Sequence, residues 1–201
     1  MRTSRRIRRP LFIIDAHPVD VCRPVRAGRK TRLGGLAQFG YCSALERNFY
    51  GVKEHLIFTP DGMLAFSLQI PGNRHDVNGL YALLKTAFQG TLIGDNAYWP
   101  ETSKRMRLIK KGIIMYAAVR KNWKTYHPEE IQSLIDNHRR HIERFISNFN
   151  EQFHAGRTRC RNKKHYIARR LVKAFAHNAS RFISASRGLR VNSMQHFHLA
   201  A

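Results

Sequence analysis

Acid is what this chain has least of: Asp and Glu number 13 in 201 residues, against 36 Lys and Arg, leaving a net charge of +23. Cysteine is almost as scarce. Cys22, Cys42 and Cys160 are odd in number, far apart and not in a C-x-x-C pair, which excludes a disulfide framework and a cysteine zinc site and fits a reducing compartment. No apolar run approaches the roughly 18 residues that a bilayer-spanning helix needs, so no membrane partner is expected. Neither a P-loop, nor a Ser-His-Asp arrangement, nor an internal repeat is present, so nucleotide hydrolysis and acyl transfer have no support.

What is abundant is positive charge, spread along the whole chain. The natural partner is a polyanion. On duplex DNA each phosphate contact should add about −0.9 to the log–log slope of binding against salt. Charge alone does not separate an enzyme from a basic binding protein. A chain of this length can bury roughly 70% of its unfolded surface, so one domain needs no staple.

Met1 to Pro10 carries Arg2, Arg5, Arg6, Arg8 and Arg9 and reads as a solvated or DNA-touching arm. Leu11-Phe-Ile-Ile14 follows as a buried strand. Pro18 holds His17 extended, which is expected to end the ladder and leave Asp15 at the strand's end. Val19 to Tyr41, rich in Gly, Arg and Lys, reads as an exposed basic loop. Phe49 to Phe58 and Met63 to Ile70 flank Thr59-Pro-Asp-Gly62 and predict an antiparallel hairpin. Asp76 suits the N-cap of a helix over Val77 to Phe88, although His75 and Asp76 are also placed to line a site.

Thr91-Leu-Ile-Gly94 is a second short apolar strand, and it delivers Asp95 to its end. Read alone, Asp95 is equally a turn-capping residue and a site carboxylate. A basic helix over Glu101 to Lys111 with Gly112 beyond it, a fifth strand over Ile113 to Val119, and a long helix from Pro128 to Phe153 complete the core pattern. Glu143 sits on that long helix beside Arg139, Arg140 and Arg144, where i,i+4 ion pairs are the plain explanation. Ala155 to Lys164 is a basic link. A second amphipathic helix spans Tyr166 to Ile183, with Ile167, Leu171, Ala174, Phe175 and Phe182 on its apolar side, before a polar tail containing His196 and His198.

So few acids in so basic a chain raise the question of why two of them close apolar strands. Converging carboxylates repel one another unless a cation compensates, and all-oxygen ligands suit Mg²⁺ or Mn²⁺. Two such ions roughly 3.5–4 Å apart can serve both the attacking and the leaving oxygen of an in-line displacement at phosphorus.

Four motifs in order make the chain resemble the catalytic domain of insertion-sequence DDE transposases, from about Leu11 to Ser184. They are Ile14-Asp15-Ala-His-Pro18, Tyr50-Gly-Val-Lys53 with His55 and Asn73-Arg-His75-Asp76, Gly94-Asp95-Asn-Ala-Tyr98, and Arg139-Arg-His-Ile-Glu143. The resemblance implies an α/β, ribonuclease-H-like fold: a mixed five-stranded sheet with an antiparallel hairpin and parallel strands, flanked by helices. It implies residues 1–10 as an arm, 11–184 as the catalytic domain and 185–201 as a tail. It also implies Asp15, Asp95 and Glu143 as catalytic residues and ligands of Mg²⁺ or Mn²⁺, two ions in all. Arg120, Arg139, Arg140, Lys104 and Arg105 would contact phosphates, and Tyr98 would stack on or position a nucleotide.

The implied reaction is cleavage of DNA at the element ends, then transfer of the strand to a target duplex, in a cytoplasmic, nucleoid-associated setting. Two family positions differ here, where Asp136 and Asn150 replace a Tyr and a Lys. The chain also begins almost at its first catalytic strand, so end recognition is expected from a separate chain, with a homodimer as the other arrangement. Two alternatives stay open: an inactive relic acting as a basic DNA-binding protein, and a nuclease that cuts without joining.

Overall fold

Ile13 and Ile14 are neighbours in sequence, yet each is buried against a different set of helices, and this alternation sets the layers of the molecule. The computed structural model describes residues 9–27, 33, 35–120, 123, 126–158, 160 and 162–189. Most of the basic arm, together with Arg29, Lys30, Arg32, Gly34, Arg159, Arg161 and residues 190–201 with His196 and His198, lies outside the described residues.

The strands are β1 (Leu11–Cys22), β2 (Gln38–Cys42), β3 (Arg47–Phe58), β4 (Leu64–Pro71), β5 (Gly90–Gly94) and β6 (Ile113–Ala117). They form one sheet in the order β2-β3-β1-β5-β6, with β4 also paired to β3. The first half of β3 pairs with β2 and the second half with β4, both antiparallel, so these two short strands follow one another along one edge of β3. On the far side β1 runs antiparallel to β3, while β5 is parallel to β1 and β6 parallel to β5. Antiparallel strands on one side of β1, parallel strands on the other and helices on both faces make the fold ribonuclease-H-like.

Helix α1 (Val77–Ala82) and α2 (Thr102–Lys111) cover one face, where Ile14, Ile57, Leu80, Leu92, Leu108 and Met115 are buried together. The long α3 (Glu129–Phe153) covers the other, with Ile142, Phe145 and Phe149 against Ile13, Leu56 and Phe58. Its apolar residues recur at spacings of three and four, as an amphipathic helix on a sheet requires. The expected hairpin forms: Gly62 takes φ +85° and donates to the Thr59 carbonyl at 2.8 Å. Gly112 closes α2 in the left-handed region at φ +94°.

Five expectations are corrected. The sheet has six strands, because Gln38–Cys42 inside the supposed basic loop forms β2; Gly40, at its centre, leaves no room for a Cβ against the Gly72 carbonyl. β1 does not stop at Pro18 but continues to Cys22. The Asp20 N–H points away from β3, to the Gly156 carbonyl at 3.0 Å, and two residues earlier the donor-less Pro18 nitrogen faces the same way, so β3 loses no bond. The helix expected to Phe88 ends as α at Ala82 and tightens into a 3₁₀ turn over Leu83–Lys85, and β6 stops at Ala117 rather than Val119.

The fifth correction concerns α4 (Lys163–Ser186). Its apolar side is turned outward, with Phe175 75% and Phe182 68% exposed, while Tyr166, Arg170, His177 and Arg181 face the body.

Candidate active site

The parallel pairing of β1 with β5 ends at Ile13 and Ile93, and Asp15 and Asp95 each lie two residues beyond those ends. Period-two alternation puts Asp15 on the face of Ile13, the side that α3 covers, and brings it toward Glu143, which follows the buried Ile142 on that helix. Ligands of open α/β sheets bind at the carboxyl ends of parallel strands. The sequence folds to that geometry here.

Asp15, Asp76, Asp95 and Glu143 line one cavity of about 360 Å³, together with Lys53, Arg139 and His17. Asp15 accepts a hydrogen bond from the Ala16 N–H at 2.7 Å. Burial nevertheless pushes its carboxyl up to about 7, and the negative charges of Asp95, Asp76 and Glu143 push the same way. Asp95 is raised too, chiefly by burial. The Ala97 N–H that it accepts at 3.0 Å works against that shift, as do the charges of Arg139 and Arg120, while Asp76 adds to it. Asp95 thus caps the 3₁₀ turn Asn96–Tyr98 and lines the cavity at once, so the two readings of it are not exclusive.

Asp76 does not cap α1. Its side chain makes no capping bond and instead accepts from Lys53 Nζ at 2.9 Å inside the cavity wall. Among the described residues Glu143 forms no ion pair with Arg139, Arg140 or Arg144, so the plain ion-pair explanation of that glutamate is not realised.

The donor set is all oxygen, and four carboxylates around one partly desolvated space fit a divalent cation such as Mg²⁺ or Mn²⁺. Among the described residues, no three His, Cys, Asp or Glu side chains stand gathered as a ready-made metal cage. The carboxylates share a cavity without yet converging on a point.

Tyr98 departs from expectation. Its ring is fully buried beneath the cavity, and its hydroxyl lies 2.7 Å from His55 Nδ1, so it offers no face to a nucleotide. The short turn after Asp95 swings this ring into the core. Burial, and the charges of Asp15, Asp76 and Asp95, raise its hydroxyl well above its ordinary value. Arg139 lines the cavity; Arg120 is exposed, 5.3 Å over the Trp123 ring, and close enough to Asp95 to lower its pKa. Arg140 and Arg105 are exposed, Lys104 lies 5.7 Å over the Tyr81 ring, and none of the three lines the cavity.

Sequence reasoning missed a buried polar network behind Asp15. Glu54, 1% exposed, takes hydrogen bonds from Arg170 of α4 through both carboxylate oxygens, from Gln69 Nε2 at 3.1 Å, and from His17 Nε2 at 3.0 Å. Burial, helped by the charges of Arg170 and Lys173, lowers His17 to about 3, so the ring is neutral and its Nε2 carries the proton given to Glu54. No local pattern signals a pair 116 residues apart.

The sheet order defines a ribonuclease-H-like fold, and its candidate site is a cavity lined by carboxylates. Residues 8–163 match the family model described as "Transposase DDE domain", and the chain belongs to that family. No curated protein matches it. Membership makes DNA the general substrate and phosphoryl transfer the general chemistry. The matched span ends where α4 begins.

Proposed function

We propose that Asp15, Asp95 and Glu143 are the catalytic carboxylates of an insertion-sequence transposase that cuts DNA at the element ends and joins the freed ends to a target duplex. One observation carries the reading: these three acids line a single cavity at the carboxyl end of the parallel strands, in a chain with very few acids to place.

Asp15, Asp95 and Glu143 would hold the metal, Mg²⁺ or Mn²⁺ and two ions by the chemistry of the reaction. Bound there, the ions supply neutralisation of the carboxylates and of charge developing at phosphorus. The chain's own residues hold and orient the DNA. Arg139 and Lys53 stand on the cavity wall as phosphate partners, and Arg120 adds positive charge beside Asp95. Arg140, Lys104 and Arg105 belong to a wider phosphate-binding surface. In the first step a water oxygen bonds to phosphorus as the 3′-oxygen leaves with a proton. In the second the freed 3′-hydroxyl attacks a target phosphodiester, and a target 3′-oxygen departs.

The test is cleavage of labelled element-end DNA in the presence of Mn²⁺. Wild type should nick and join, and Asp95→Ala should lose about a hundredfold to a thousandfold in rate, the scale of removing a principal charge-stabilising group. Equal activity in the two proteins would overturn the catalytic assignment.

A further inference from the structure

A second, more open cavity of about 580 Å³ adjoins the carboxylate site and shares Tyr41, Ser43 and Lys53 with it. Its character is different. Among the described residues no carboxylate lines it; Lys53, Arg74 and His75 carry its charge, and Phe39 and Tyr41 are its large exposed surfaces.

Phe39 and Tyr41 are two residues apart on β2 and therefore share one face of that strand. They are 56% and 57% exposed, although an aromatic ring gains most by burial. β2 cannot twist away to hide them. Its ladder to β3 holds one edge, and the close approach of Gly40 to the Gly72 backbone fixes its other face. Phe39 is further oriented by an edge contact with Tyr50, ring centroids 5.0 Å apart. Along the same cavity, the turn after β4 presents Arg74 and His75 to solvent, with the Arg74 N–H bonded to the Pro71 carbonyl at 3.0 Å.

We propose that this groove binds an unpaired DNA strand leading into the carboxylate cavity, with bases stacked on Tyr41 and Phe39 and phosphates held by Arg74 and Lys53. The inference rests on the proposed transposase reading and names the form in which its DNA is held. Fixed aromatic faces beside a basic wall are the combination that binds single strands without sequence preference. Bases inside a duplex already stack on one another and leave no face free. The groove therefore selects DNA whose strands are separated near the cleaved bond, as at a frayed or distorted element end.

The test uses the full chain in a chelating buffer, where binding is read without reaction, by fluorescence anisotropy of a single-stranded oligonucleotide and a blunt duplex. The double variant Phe39→Ala, Tyr41→Ala should bind the single strand about tenfold or more weakly, with duplex affinity unchanged. Tyr41→Trp should retain single-strand binding, and Arg74→Ala should reduce the magnitude of its salt slope by about 0.7. Should the double variant fail to fold by circular dichroism, Arg74→Glu, at an exposed turn, carries the test through the same loss. Unchanged single-strand affinity in folded variants, or equal losses on single strand and duplex, would overturn the groove. Failure of wild type to nick DNA with Mn²⁺ would instead overturn the catalytic reading and leave the binding result standing.

Discussion

Asp15 carries the tension of the site in one side chain. Burial and three neighbouring carboxylates push it up to about 7, well above the value of an ordinary aspartate. The unfolded chain releases that proton near pH 4 and the folded chain keeps it to about 7, so in metal-free protein Asp15 weakens the fold progressively as pH rises through that window. The Asp15→Asn variant escapes this effect. In a chelating buffer its melting temperature should gain on wild type steadily from pH 4 to pH 7, as read by thermal circular dichroism. A constant difference across the window would show that Asp15 is not held protonated. Two residues on, His17 behaves oppositely: buried and neutral, it favours the fold above pH 6.5 and its contribution is lost as acid is added.

Tyr98 makes a second residue-scale prediction. Tyr98→Phe removes the partner of His55 Nδ1 in a ring whose Nε2 is already buried without one. The variant should lose about 1–3 kcal/mol in urea unfolding. A nucleotide-stacking role would instead predict normal stability, because phenylalanine keeps the ring and the hydroxyl would be dispensable.

Elements differ in how openly the sequence declares them. The hairpin, α2 with its closing Gly112 and the long stripe of α3 are local patterns of period two or 3.6, and each forms as read. β2 hides because Gly40 interrupts its alternation and basic residues precede it. α4 is misread for a physical reason: its charged Arg170 is buried by the Glu54 carboxylate from β3, so the side that looks polar is the side that packs. The candidate site divides likewise. Asp15 and Asp95 show as acids closing apolar strands, and Glu143 through its place on α3, whereas Asp76 looks like a helix cap until Lys53 is seen to draw it into the cavity wall.

The Glu54–Arg170 pair ties α4 to the strand next to β1, and its loss should be felt in stability. Glu54→Ala leaves a buried guanidinium unpaired and should cost about 3–5 kcal/mol in chemical unfolding, while Glu54→Leu with Arg170→Met should cost distinctly less. Equal losses in the single and double variants would mean that the charges are not coupled.

Across the whole molecule the distribution of charge frames the function. A net +23 supplies a general attraction for nucleic acid, and the few acids include four that meet at one cavity. Among the described residues no helix is long and apolar enough to cross a membrane. The proposed function requires that Asp15, Asp95 and Glu143 act together as one cation site. Mn²⁺ titration of the full chain, followed by electron paramagnetic resonance of the free ion, measures this without any need for turnover. Saturable binding should appear in wild type and be weakened at least about tenfold in each of Asp15→Asn, Asp95→Asn and Glu143→Gln, all folded. Mn²⁺ binding of equal strength in wild type and all three variants would contradict the shared site.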